Sequence, residues 1–78
     1  MNLLAMNQLV RNADALFERA ARAWTRGNNS GDNEIMRRCN AQCDSYRADA
    51  EALLTPLGIA VDYPGLYPSF TVRGFDGL

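Results

Sequence analysis

Two stretches of the chain place apolar residues at alternating spacings of three and four, and a short polar segment separates them. The first row is Leu3, Met6, Val10, Ala13, Phe17, Ala20 and Trp24, and the second is Met36, Cys39, Cys43, Tyr46, Ala50, Leu53 and Leu57. This spacing is typical of amphipathic helices that bury one stripe. The pattern predicts two helices, over about 2–26 and 33–55, that form a long antiparallel hairpin.

The residues between the two rows are typical of a helix end, a turn and a new helix start. We expect Gly27 to cap the first helix and residues 28–31 to form the turn. Asp32 or the residue after it can cap the second helix, because a short polar side chain accepts a hydrogen bond from a free first-turn amide. Pro56 should end the second helix, since the residue before a proline is disfavoured in helical conformation.

The last third of the chain alternates apolar with polar or small residues, which is the pattern of short strands. We expect a β-hairpin over about 59–73 with a five-residue connection and a turn at Pro64-Gly65. A lone hairpin is marginal in water and must pack on the helices. The predicted fold class is therefore α+β, mainly α, as a single domain over 1–78.

The first helix offers a wider apolar stripe than one partner helix covers, because Leu9, Leu16 and Ala23 form a second row beside the first. A chain of this size seldom gains more than about 5 kcal/mol from its own core. Either the C-terminal strands or a second copy of the chain can cover the remainder. We expect a homodimer in which two hairpins form a four-helix bundle.

The residue types present leave little for catalysis. Eight basic residues are all arginine and histidine is absent, so the side chain that titrates near neutral pH and the usual amine nucleophile are both missing. Cys39 and Cys43 lie one turn apart, but zinc needs four ligands and a disulfide within one helix would be strained at this spacing. We expect no enzyme, no metal and no cofactor, with both thiols buried. A site of four thiols between two copies remains an alternative.

The sequence also predicts a location and weighs against two partners. No apolar run approaches the roughly 18 residues of a membrane helix, and the N-terminal segment lacks the basic start of a secretory signal. We therefore expect no membrane partner and a cytoplasmic location. The net charge of −1 disfavours nucleic-acid binding through bulk charge.

Charge separates along the expected hairpin. The turn end collects five arginines against three acidic residues, and the remainder holds three arginines against six acids. We call the five arginines the basic tip: Arg19, Arg22, Arg26, Arg37 and Arg38. Arginine favours bidentate recognition of carboxylate or phosphate, so the basic tip is a candidate contact surface. Ion pairs one turn apart, Glu18 with Arg22 and Arg47 with Glu51, are also expected.

A second candidate contact surface is the aromatic turn that joins the two strands. Tyrosine is enriched at binding hot spots, because a rigid amphipathic ring buries a large area at low entropic cost. Leu66 and Tyr67 are therefore candidate anchors for a partner. A competing arrangement packs Tyr63 and Phe70 on the first helix and exposes only Tyr67.

In size and composition the chain resembles the small accessory proteins of bacteriophages and plasmids, a class that includes anti-CRISPR proteins and other inhibitors of host complexes. The resemblance implies a noncatalytic product of a mobile genetic element that occludes a surface on a host protein or protein complex. It carries no functional residue over. The alternatives are a small dimeric regulator that binds nucleic acid through the basic tip, and a purely structural oligomer.

Overall fold

A computed structural model of the chain describes residues 2–72, with side chains described as far as residue 69. The elements are helix α1 (Leu3–Asn29), helix α2 (Asn33–Leu54), a 3₁₀ helix (Thr55–Leu57) and strands β1 (Ile59–Asp62) and β2 (Ser69–Val72). The protein is mainly helical, with α1 and α2 packed against each other as a helical hairpin. The expected strand end at Arg73 lies outside the described residues.

Helix α1 begins at a capping asparagine and ends later than predicted. The Asn2 side chain accepts a hydrogen bond from the Ala5 amide at 2.8 Å. The expectation that Gly27 caps α1 was wrong, because the helix continues to Asn29. Gly31, with φ at 71°, is the left-handed residue that follows the helix.

Gly27 is instead the point where the two helices come closest. A Cβ atom at Gly27 would lie 2.7 Å from Cβ of Cys39 and 3.3 Å from Cα of Met36. Carbon atoms in van der Waals contact lie about 3.5–4.0 Å apart. Any residue larger than glycine would therefore force the helices apart, which explains why a glycine lies inside a helix here.

Helix α2 begins and ends as the sequence predicts. The Asp32 carboxylate accepts hydrogen bonds from the amides of Glu34 (2.8 Å) and Ile35 (3.2 Å), so it satisfies two amides that have no partner within the helix. The helix ends at Leu54 and Pro56 lies in the 3₁₀ turn that follows.

The buried core lies between α1 and α2 and consists largely of small side chains. One cluster joins Ala13 and Phe17 of α1 to Ala50 and Leu54 of α2. A second cluster joins Ala20 and Ala23 to Cys43. Both cysteines are buried and free, as expected of small apolar residues. Alanine and cysteine allow the close approach that reaches its limit at Gly27.

The two strands pair antiparallel, with Ile59 opposite Val72 and Asp62 opposite Ser69. Ile59 and Val61 pack against the first cluster, so β1 covers part of the core between the two helices. The connection is residues 63–68, one residue longer than expected, because Tyr63 leaves the strand to contact the helices.

Large apolar side chains remain exposed at two places on α1. Leu3 is 73% exposed and Leu4 is 79% exposed at the N-terminal end. Trp24, expected in the buried stripe, is 42% exposed, and that expectation was wrong. Ala23 and Gly27 are buried instead, because the close helix approach leaves no room for an indole ring. Neither α1 nor α2, nor any other helix within residues 2–72, has the length and apolar character needed to cross a bilayer.

Candidate functional site

The 63–68 loop is fixed to the helical hairpin by the side chain of Tyr63. Its hydroxyl donates a hydrogen bond to Oε1 of Glu51 at 3.0 Å. Its ring meets Phe17 edge to face, with ring centroids 6.2 Å apart. The half-buried Tyr63 therefore anchors the loop to both helices, as the competing arrangement expected. The side chain of Phe70, which that arrangement also placed on α1, lies outside the described residues.

Arg47 of α2 holds the same loop and lies over the Tyr63 ring. Its guanidinium carbon lies 4.5 Å from the ring centroid, and Nη2 donates a hydrogen bond to the carbonyl oxygen of Leu66 at 3.2 Å. The expected ion pair between Arg47 and Glu51 is not among those formed within residues 2–72. Tyr63 takes the place of this ion pair, because Arg47 stacks on its ring and Glu51 accepts a hydrogen bond from its hydroxyl.

Two of the surrounding groups have raised pKa values. Burial, the hydrogen bond to Glu51 and the charge of Glu51 raise the pKa of Tyr63 to about 12, against the opposing effect of Arg47. Tyr63 therefore stays a hydrogen-bond donor at neutral pH. Burial also raises the pKa of the Cys43 thiol, which keeps it protonated and weakly nucleophilic.

The fixed loop presents the exposed ring of Tyr67, and the preceding loop residue lines a cleft with a second aromatic residue. Tyr67 is 62% exposed, whereas Leu66 is half-buried. Trp24 and Leu66 line one cleft, together with Gly65 and the Arg47–Tyr63 pair. We call Trp24, Leu66 and Tyr67 the aromatic surface. Trp24 was not among the expected contact residues. The small residues Ala23 and Gly27 were the signal for its exposure, because they can continue the buried stripe without it.

The basic tip is exposed, and two of its arginines are paired with glutamates on their own helices. Arg22 lies 3.6 Å from Glu18, as expected, and Arg38 lies 2.7 Å from Glu34. All four side chains are more than 60% exposed. Ion pairs of this kind contribute little to stability, so they cost little to exchange for a partner's groups.

The other three arginines of the basic tip have different surroundings. Arg26 donates from Nη2 to Oε1 of Gln42 at 2.9 Å, which joins α1 to α2. Arg37 donates from Nε to the carbonyl oxygen of Asn33 at 3.4 Å. The Arg19 side chain has no hydrogen-bond or ion-pair partner within the part of the chain that the structure describes.

The structure does not bring the basic tip and the aromatic surface to one side of α1. A helix turns about 100° per residue. On that geometry the stripe of Arg19, Arg22 and Arg26 lies about half a turn around α1 from Phe17 and Trp24, which face the loop. The two candidate contact surfaces are therefore separate.

The described residues offer few groups for metal binding. No cluster of three or more Cys, Asp or Glu side chains forms within residues 2–72. A second cleft, of about 360 Å³, lies between α2 and β1 and is lined by Glu51, Thr55 and residues 58–62. It brings a hydroxyl and two carboxylates to the surface, and no thiol or cation is among the described residues of its lining.

Comparisons of the chain with protein-family models, with curated proteins and with solved structures find no significant match. The aromatic surface and the basic tip are therefore the features of the chain that indicate its function.

Proposed function

We propose that the chain is a small noncatalytic binding protein that acts by occupying a surface on a protein partner, with the aromatic surface as its main contact. The observation that carries the proposal is the 62% exposed ring of Tyr67 on a loop held by Arg47 and Tyr63. A side chain on a fixed loop loses little conformational entropy on binding. Tyrosine and tryptophan are also the residues that most often dominate interface energetics.

An antiparallel arrangement of α1 and α2 is part of this proposal. It is supported by the pairing of Gly27 with Cys39 near the connection and of Phe17 with Ala50 further from it. A connection of only residues 30–32 also favours it. Two helices packed in this way form a rigid frame, so the loop can present Tyr67 in one orientation.

A homodimer is the second part of the proposal. Leu3 and Leu4 are both more than 70% exposed, and Ile35 is 43% exposed. A second copy that covers these residues would remove apolar area from water. Sedimentation velocity of the wild type and of a Leu3→Ser/Leu4→Ser variant tests this: a dimer that the variant converts to monomer supports it, and a monomeric wild type refutes it.

The narrower proposal is an inhibitor of a host defence complex, encoded by a mobile genetic element. The small size, the lack of His and Lys and an exposed aromatic surface support a mechanism of surface occlusion. A nucleic-acid regulator is the second candidate, favoured by the exposed basic tip and by Arg19 in particular. The two differ in salt dependence, because release of counterions makes phosphate binding fall steeply with salt concentration.

Capture of partners from a host lysate with the tagged chain tests the main proposal. We expect a stoichiometric protein that survives nuclease treatment and is lost with Tyr67→Ala. Ser45→Ala is the control, because it changes an exposed side chain of α2 that lies in neither the aromatic surface nor the proposed dimer contact. Loss through Arg22→Glu/Arg26→Glu/Arg37→Glu but not through Tyr67→Ala would transfer the contact to the basic tip. Nucleic acid that disappears with nuclease would favour the regulator.

A further inference from the structure

Tyr67 forms one wall of a cleft whose other wall carries two carboxylates. The cleft has a volume of about 260 Å³, and its lining residues are Asp14, Phe17 and Glu18 of α1 with Tyr67 and Pro68 of the loop. Residues spaced three and four apart are neighbours on a helix surface, so Asp14 lies beside both Phe17 and Glu18. The cleft therefore combines aromatic surface with two negative charges.

Neither carboxylate has, within residues 2–72, a buried cation that compensates its negative charge. The Asp14 side chain makes no ion pair or hydrogen bond within residues 2–72. Glu18 has the 3.6 Å ion pair with Arg22, in which both side chains are more than 60% exposed. Like charges four residues apart on a helix repel each other, so a cation bound between Asp14 and Glu18 would relieve that repulsion.

The chain already holds an arginine in similar surroundings. The Arg47 guanidinium lies 4.5 Å from the centroid of the Tyr63 ring, and the hydroxyl of that ring donates to Glu51. A guanidinium can stack on an aromatic ring while its N–H groups reach oxygen acceptors in the same plane. The cleft at Tyr67 likewise offers a tyrosine ring with oxygen acceptors beside it, which are carboxylates where Arg47 has the carbonyl oxygen of Leu66. No cation is among the described residues that line it.

We propose that this cleft binds an arginine side chain of the protein partner, stacked on Tyr67 and paired with Asp14 and Glu18. The inference rests on the proposed function, because it names the chemistry that the aromatic surface recognises. Two carboxylates supply fewer oxygen ligands than a calcium site uses. An arginine needs only the ring and the acids that are present.

NMR titration of the ¹⁵N-labelled full chain with the capped tripeptide Ac-Gly-Arg-Gly-NH₂ tests the proposal. We expect saturable shifts at the amides of Asp14, Glu18 and Tyr67, with weak affinity because the probe supplies one side chain. The citrulline tripeptide, a neutral isostere, should bind at least about tenfold more weakly. The double variant Asp14→Asn/Glu18→Gln should weaken arginine binding by a similar factor.

The matched control is a double variant of two exposed acids of α2, Asp44→Asn/Asp49→Asn, which removes the same total charge. Equal weakening by both double variants, or equal binding of the two tripeptides, would overturn the proposal. Concentration-dependent shifts of the cleft amides without peptide would overturn it in favour of an arginine from a second copy.

The capture assay separates failure of this inference from failure of the proposed function. A partner lost with Tyr67→Ala but kept by Asp14→Asn/Glu18→Gln would leave the aromatic surface as the contact and overturn only the arginine cleft. A partner kept by both variants would overturn the proposed function itself. Loss with both variants, together with retention by the α2 control, is the expected result.

Discussion

Replacing Gly27 with alanine tests how closely α1 and α2 pack. The new Cβ would lie 2.7 Å from Cβ of Cys39 and 3.3 Å from Cα of Met36, so the helices would have to separate by roughly 1 Å at this point. Overpacking costs about 1–3 kcal/mol, and this contact belongs to the upper part of that range, about 2–3 kcal/mol, because neither a Cβ atom nor a backbone atom can rotate away. Alanine has a higher helix propensity than glycine, which offsets about 1 kcal/mol. We therefore expect a net loss of about 1–2 kcal/mol in the free energy of unfolding.

Urea unfolding followed by circular dichroism, at several protein concentrations, measures the effect of Gly27→Ala. Ser45→Ala, at an exposed helical position, is the control and should be neutral or slightly stabilising. The contact atom on Cys39 is Cβ, so Cys39→Ala should not relieve the strain whereas Cys39→Gly should. An unchanged or increased stability of Gly27→Ala, or the same loss in the Cys39→Gly background, would refute the close-approach argument.

Three further predictions concern a cap, a hydroxyl and the thiols. Asp32→Ala should lower the free energy of unfolding by about 1 kcal/mol, because two α2 amides lose their acceptor; a loss below about 0.3 kcal/mol in urea unfolding would contradict this. Absorbance at 295 nm should show one tyrosine with a pKa of about 12. Unfolded tyrosine ionises near pH 10, so the stabilisation from Tyr63 is complete below about pH 10 and is lost as the pH rises to about 12. Glu51→Gln should lower that pKa, and ionisation of all tyrosines near pH 10 in the wild type would argue against the hydrogen bond. Cys39 and Cys43 should react slowly with iodoacetamide until urea unfolds the chain, because both are buried; rapid alkylation of the native protein would be inconsistent with this core.

The features that the sequence predicted correctly depend on local chemistry. Asp32 caps α2 because its carboxylate reaches amides two and three residues ahead. Pro56 limits α2 because it has no amide hydrogen with which to continue the helical hydrogen bonds, although Thr55 before it keeps right-handed helical angles (φ −55°, ψ −46°). Each effect acts within one turn of the chain, so the residue types alone were sufficient.

The features that the sequence missed depend on distances between elements. Glycine is typical both of a helix cap and of a close contact between helices, so the residue type at position 27 does not distinguish the two. Only the position of Cys39 beside it does. The exposure of Trp24 follows from the same contact. Arg47 and Glu51 have the spacing of an ion pair within a helix. Tyr63, at least twelve residues away along the chain, instead contacts both, because its ring lies under Arg47 and its hydroxyl donates to Glu51.

The candidate site was predictable in part. The loop composition indicated Leu66 and Tyr67, and Tyr67 is the more exposed of the two. The acids at 14 and 18 appeared to be an ordinary solvated helix face, because nothing in the sequence places Tyr67 beside them. The arginines of the basic tip were easy to find from charge, but their separation from the loop requires the helical geometry.

We infer that the aromatic surface, and not the basic tip, contacts a protein. The most direct measurement replaces one residue at a time, Tyr67, Arg19 or Leu4, with the photo-crosslinker benzoylphenylalanine in the host cell. We expect a covalent adduct with a host protein from position 67 and none from position 19, whereas position 4 should yield at most an adduct with a second copy of the chain. An adduct from position 19 with none from position 67, or a nuclease-sensitive adduct, would contradict it.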